Sequence, residues 1–233
     1  TLFRSQMFRY TNSFKEARFL RAYFYFNLVR AYGDVPYFTE MVTTDQVNSL
    51  TRTPAQEIFN AIIAECDKLS TELPADYTKL GLDGIAPAEN GRVTCYAALA
   101  LKARAALYAA SPLFNPGNNK DLWRRAAEAN KEVIETCTAN GFKLSKYSEL
   151  WGPNNWSNNE MIFVRRYNGN ISTLEEYNFP MGVPGGNSGN CPTQNMVDAY
   201  EMKATGKMWN ETGSGYDASN PYAGRDPRSE ERR

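Results

Sequence analysis

The 233-residue sequence contains no histidine. That removes the Ser-His-Asp triad, the Cys-His pair and every His-ligated metal site from the chemistry open to the chain. Cysteine is scarce: Cys66, Cys95, Cys137 and Cys191 have no C-x-x-C spacing, so zinc clusters and dithiol redox chemistry are poorly supported. Cys66 and Cys137 fall on apolar helical positions and read as small core side chains, while a disulfide among the four stays open. Neither sign of charge is in excess, with 26 Lys+Arg against 26 Asp+Glu, so there is no basic footprint for nucleic acid or an anionic membrane surface. Long apolar runs are missing too. Those around Tyr23–Phe26 and Cys95–Leu101 fall far short of the ~20 residues that cross a bilayer. There is no G-x-x-x-x-G-K-[ST], and Gly182, Gly185, Gly186 and Gly189 do not make G-x-G-x-x-G, which leaves nucleotide binding without a motif. The chain opens at Thr1 with no initiator Met, charged n-region or apolar h-region, so any targeting signal is expected outside this sequence.

What the sequence has is helix. In "SFKEARFLRAYFYFNLVRAYGDVPYF", Ser13 and Glu16 form a capping box that predicts a start, and Gly33 with Pro36 predicts the stop. Ala17, Leu20, Phe24, Leu28 and Ala31 recur at steps of three and four and are expected to be the core line, with Phe24 at its centre. Phe19, Tyr23 and Phe26 lie on a second side, Tyr25 and Val29 on a third, so the helix is expected between neighbours. Arg18, Arg21 and Arg30 then need water, carboxylates or carbonyls. "TPAQ" announces a second helix, with Thr53 as cap, Pro54 first and Gln56 completing the box; Ala55, Ile58, Ile62, Cys66, Leu69 and Leu73 make its apolar face, and Pro74 ends it. A third, alanine-rich helix is predicted from about Thr94 to Ala110. A fourth lies in "DLWRRAAEANKEVIETC", with Trp123, Ala126, Ala127, Asn130, Val133, Ile134 and Cys137 on one side. The short link between these two implies an antiparallel hairpin. Paired helices of this kind resemble tetratricopeptide units, which bury their faces by stacking.

After Gly141 the character changes. A polar Trp/Asn loop runs into an expected strand at 161–167, followed by the Gly/Pro-rich "NFPMGVPGGNSGNCP", a short helix capped by Thr193, and further loop. The reading is a mainly α chain: a helical scaffold over 1–140 and a loop-rich region with little β over 141–233, packed on the scaffold as one domain. The carboxylate pairs Asp198/Glu201 and Glu175/Glu176 sit within single short segments, unlike the facing pair a glycosidase needs, and no catalytic residue is assigned. "NETGSGYDASN" is rich in oxygen but lacks the Asp/Asn alternation of a calcium loop; no metal or cofactor is assigned. "NIS" and "NET" fit the glycosylation tripeptide, which recurs by chance.

Five segments in order, "EARFLRAYFYFNLVRAYGDVPYFTE", "RVTCYAALALKARAALYAASPLFN", "NNEMIFVRRY", "PTQNMVDAYE" and "NPYAGRDPR", resemble the SusD/RagB family of Bacteroidetes outer-membrane lipoproteins. The resemblance implies a fold of tetratricopeptide-like helix pairs. It also implies a lipid anchor on an N-terminal Cys at the cell surface, and capture of a glycan, or in some members a peptide, for a SusC-like TonB-dependent transporter without bond breaking. It places the anchor segment, the first helices and some C-terminal helices outside this chain. Sugar capture needs flat aromatic faces beside amide, guanidinium and carboxylate groups. Trp156 with Asn154 and Asn155, Trp209, Tyr216 and Tyr177 are candidates by residue type alone. The alternative for each aromatic is that it pins its loop. An alternative function is a tetratricopeptide-type scaffold for a polypeptide ligand, with Asn27 and Arg30 lining a groove.

Overall fold

The computed structural model describes residues 2–77, 91–150, 158–164, 177–179 and 181–226, with side chains from Asn12 onward apart from Ser148. Two compact units emerge, Thr1–Arg166 and Tyr167–Arg233.

The first unit is a stack of helices. Helix α1 spans Leu2–Tyr32 and so runs straight through the expected start at Ser13. No Gly or Pro interrupts the stretch before Ser13, and ordinary helix propensity carries the helix across it. Glu16 does not close a capping box: its two carboxylate oxygens accept the fork of Arg92, from Nε at 2.8 Å and from NH2 at 2.5 Å. The stop is where Gly33 and Pro36 predict it. Gly33 takes φ +69°, a conformation costly for a side chain, and its N–H donates to Val29 O at 2.9 Å.

The buried side of α1 differs from the expected one. Phe19, Ala22, Phe26 and Val29, with Tyr25 beside them, are the buried residues, whereas Leu20, Phe24 and Leu28 are exposed, Phe24 by 59%. Two apolar lines compete on this helix, and the charged residues decide between them. Lys15, Glu16 and Arg18 project beside the Phe19 line, and each finds its partner across it. Lys15 Nζ donates to Glu72 O, Glu16 holds Arg92, and Arg18 reaches Glu65 and Glu72, both at 2.6 Å. Arg21 donates to Thr39 O at 2.9 Å, and Arg30 lies over the Phe26 ring.

A one-turn helix α2, Thr44–Val47, precedes α3, Ala55–Glu72. The capping of α3 is again a correction. Thr53 forms an antiparallel bridge with Val35, Pro54 occupies the cap position, and the Ala55 N–H donates to the Asp34 carboxylate at 2.8 Å. Gln56 is drawn away from any box. Its amide donates to Ala109 O and Phe114 O, tying α3 to the end of the next helix. The apolar face is as expected: Ala55, Ile58, Ile62, Cys66, Leu69 and Leu73 are all buried, joined by Phe59 and Ile63.

Helix α4, Cys95–Ala110, is capped by Thr94, and α5, Lys120–Ala139, by Asn119. The helices pack in chain order, α1 on α3, α3 on α4 and α4 on α5, as consecutive helices do in tetratricopeptide-like stacks. Lys102 crosses the stack: its ammonium reaches Asp67 on α3 and Glu132 on α5, and those bonds raise its pKa although burial alone would lower it. On α5 the buried residues are Ala126, Ala129 and Cys137, with Val133 packed on the core. Trp123 and Ile134 are exposed, contrary to expectation. The Trp123 indole donates to Asn118 Oδ1 at 3.1 Å, a local polar anchor that leaves the ring at the surface. Beyond α5, Phe142 packs edge-on to Tyr96 at 4.9 Å, and a 3-10 turn covers Tyr147–Glu149.

The expected strand at 161–167 is not a strand over Met161–Val164, which are bends and extended loop, and its remainder lies outside the described residues. This stretch is anchored by Phe163, edge-on to Phe19 at 5.5 Å, rather than by a partner strand. Among the described residues the β structure consists of two isolated bridges. In the second unit the only regular helix among the described residues longer than a single turn fragment is α6, Gln194–Asp198, capped by Thr193 as expected. No helix among the described residues is long and apolar enough to cross a membrane.

Candidate functional site

Among the described residues, the second unit holds three of the six candidate residues, on two loops. The larger, 203–224, is pinched at its neck. Met202 bridges Arg225, the Lys203 N–H donates to Gly224 O at 2.9 Å, and the Asp226 N–H donates to Glu201 O at 2.9 Å. Arg225 occupies this neck with its side chain fully buried. A buried guanidinium must satisfy its donors. Here Nε donates to Pro221 O at 3.0 Å, NH1 to Val197 O at 3.1 Å and Tyr200 O at 3.3 Å, and NH2 to the Asp198 carboxylate at 3.1 Å. The carbonyl of Val197 lies in the last turn of α6, where the helix dipole is negative and favours a cation, and that of Tyr200 lies just past its cap. The same guanidinium carbon stands 5.5 Å from the centre of the Tyr216 ring, a cation–π contact that fixes the ring from one side.

Tyr216 in turn meets Trp209 at 5.4 Å with the rings inclined at 62°. Ser214, buried beneath them, donates from Oγ to Trp209 O and accepts the Tyr216 N–H, so one small side chain sets the spacing of the pair. Thr205 Oγ1 donates to Ser214 O at 2.9 Å, which anchors that serine to the far side of the loop. The result is an aromatic pair with both rings half-buried, each with one part fixed by the loop and another part open to solvent. Asparagine stands beside it at Asn210, exposed.

The oxygen-rich stretch from Glu211 to Asn220 is spent on its own turns. Glu211 accepts the Met208 N–H, and Asp217 accepts both the amide and hydroxyl of Ser219, the hydroxyl above all holding its carboxylate below the usual range. Among the described residues no three Asp, Glu, Cys or His side chains gather as a metal site. Asp198, one half of a carboxylate pair noted in the sequence, is taken by Arg225 and by Gln194.

Tyr177 stands in the other loop. Its backbone carbonyl accepts the Gly189 N–H at 2.7 Å, and its ring lies so close over Gly189 that a Cβ there would come within 1.9 Å of the ring. Only glycine admits this contact. The Ser188 N–H donates to Phe179 O, and Asn190 donates to Asn178, closing the loop around the tyrosine while more than half of its surface stays exposed. Trp156, Asn154 and Asn155 lie outside the described residues, as do Glu175 and Glu176. The structure therefore brings together Trp209 and Tyr216 and gives Tyr177 a loop of its own. Of the helical side chains expected to line a groove for a polypeptide, Asn27 is spent on Tyr23 O in its own helix and Arg30 lies over Phe26. Arg225 is the residue that reading by type misses. The signal was in "NPYAGRDPR", an arginine flanked by turn formers in a loop with little apolar material for a core.

A family model described as SusD-like, starch-binding and associating with the outer membrane matches residues 4–107. SusD-like protein P25 of Formosa agariphila is 25% identical over 94% of this chain and 41% of its own length. Among solved structures, a SusD-like protein from Bacteroides fragilis superposes with a TM-score of 0.71 at 27% identity, covering 92% of this chain and 41% of its own. A SusD-like carbohydrate binding protein from the same species superposes with a TM-score of 0.70 at 26% identity, covering 94% of this chain and 39% of its own. This chain is similar to SusD-like proteins and has the mainly α, tetratricopeptide-like fold of those solved structures. It spans about two fifths of the length of these relatives.

Proposed function

We propose that the protein captures an oligosaccharide or polysaccharide at the cell surface and hands it to a SusC-like TonB-dependent transporter, binding the glycan without cleaving it. The match of residues 4–107 to a family model described as starch-binding and associating with the outer membrane carries this reading, supported by a structural relative described as a carbohydrate binding protein. The protein is then held at the outer membrane by a lipid anchor on a segment preceding these residues.

Within this chain the binding face is assigned to the Trp209–Tyr216 pair. Half-buried aromatic rings on a loop fixed from below suit a ligand whose C–H faces stack on them, because little loop entropy is lost on binding. Tyr177, and Trp156 with Asn154 and Asn155, are further candidate contacts. A glycan array probed with the purified protein and with Trp209→Ala tests the reading. Retention of one glycan class, lost or weakened in the variant, supports it. Retention of none contradicts glycan capture, and equal retention by both proteins moves the face elsewhere.

A further inference from the structure

The four cysteines are free thiols, and two of them stand on the neighbouring helices of one hairpin, Cys95 on α4 and Cys137 on α5. The register of this antiparallel pair is fixed by two contacts: Asn130 Nδ2 donates to Ala103 O at 3.5 Å, and Lys102 Nζ to Glu132 at 2.8 Å. Cys95 lies eight residues before Ala103, and Cys137 lies seven residues after Asn130, so the two stand at nearly the same height. They also share the facing sides. Cys95, Leu99 and Lys102 follow one line of α4, and Ala126, Asn130, Val133 and Cys137 follow one line of α5, each line containing a residue that makes the crossing contact. Alanine-rich α4 lets its neighbour approach closely, as a disulfide requires. Cys95 packs against the core, Cys137 is buried, and the charge on Cys95 is felt at Cys137, whose thiol is pushed up mainly by burial. Neither remaining cysteine competes: Cys66 is sealed in the core of α3, its thiol pushed up to about 12, and Cys191 is exposed in the second unit.

We propose that Cys95 and Cys137 form a disulfide that staples the open end of the α4–α5 hairpin when the protein stands in an oxidising medium. That setting rests on the cell-surface reading above. The step is thiol–disulfide exchange with a small disulfide such as oxidised glutathione. The Cys95 sulfur, the more exposed of the two, attacks that disulfide and releases one thiol; Cys137 then attacks the mixed disulfide and releases the second. One S–S bond forms and one breaks, and the two protons and two electrons that the protein loses reside on the two thiols released. Burial raises the pKa of both cysteines, which slows thiolate attack and makes each a poor leaving group once paired, the behaviour of a structural bond.

The test equilibrates the purified protein with a glutathione buffer at an oxidising ratio, blocks free thiols after unfolding, and maps tryptic peptides. The proposal expects peptides 93–102 and 132–143 recovered as one cross-linked species that separates on reduction. It also expects an oxidised protein that melts several degrees above the reduced one, an interval that Cys95→Ser abolishes without moving the melting temperature of the reduced form. Recovery of both peptides singly after equilibration overturns it, as does a cross-link from either cysteine to Cys191. Peptide mapping needs no glycan, so a failure here leaves the glycan reading standing, and a failure on the array leaves the cross-link standing.

Discussion

Phe24 and Phe26 stand two residues apart on α1, and truncating each in turn tests which side of that helix carries the fold. Phe26 is 1% exposed, lies edge-on to Tyr108 at 5.2 Å, and has the guanidinium groups of Arg30 and Arg104 each 5.8 Å from its ring centre. Phe26→Ala removes a buried ring and leaves a cavity between α1 and α4, a change that costs about 3–5 kcal/mol in well-packed cores. Phe24 is 59% exposed, so only the remaining two fifths of its surface is covered. Full burial of such a side chain is worth about 1.5–3 kcal/mol, which puts Phe24→Ala at about 1 kcal/mol, reduced further by the better helix propensity of alanine. The gap between the variants is therefore about 2–4 kcal/mol. Urea unfolding followed by far-UV circular dichroism reads it as a difference in midpoint at unchanged slope. A loss in Phe24→Ala equal to or larger than that in Phe26→Ala would refute the assignment of the buried face.

Two further outcomes follow from the ion pairs. Hydrogen bonding to Arg18 holds the Glu65 carboxyl below its ordinary 4.5, so the unfolded chain takes up this proton more readily than the folded one. The stability the pair contributes is complete above the ordinary carboxyl value and is lost as pH falls through the lower folded value. With both side chains 19% exposed, Glu65→Gln should cost about 1–2 kcal/mol near neutrality and flatten the acid-side fall in urea midpoint; an acid limb as steep as that of the wild type would contradict this. Arg225→Gln removes the cation that holds the neck of the 203–224 loop. At about 2–3 kcal/mol for hydrogen bonds to a buried charge, trypsin should cut at Lys203 or Lys207 roughly 30- to 150-fold faster, and an unchanged rate would show that the loop is held elsewhere.

The helical scaffold is legible in the sequence because its signals are local. Thr94 and Thr193 cap the helices they precede, Gly33 ends α1, and the Ala55–Leu73 face is buried as its spacing predicts. The misreadings share one cause: a distant partner outweighs a local pattern. Glu16 leaves its box for Arg92, Thr53 yields the capping of α3 to Asp34, and Gln56 ties α3 to α4. On α1 two apolar lines were equally periodic, and the choice between them rested on carboxylates some fifty residues away, which periodicity cannot register. Trp123 shows the converse, an aromatic at a core spacing held at the surface by a neighbouring asparagine. The loop aromatics were identifiable as a class. Their pairing was not, because Trp209 and Tyr216 are brought together by Ser214 and Arg225 through turns that no repeating pattern encodes.

The most direct test of glycan capture on the second unit is a calorimetric titration of the wild type and Trp209→Ala with the glycan selected on the array, run beside a melting curve for each. Loss of one stacking ring, with the area it buries, should weaken binding by about 1–2 kcal/mol, or roughly 5- to 30-fold. The account predicts that loss with the α1–α5 stack melting as before, since the Trp209–Tyr216 pair belongs to the second unit. Affinity unchanged in the variant, with both transitions intact, would contradict it.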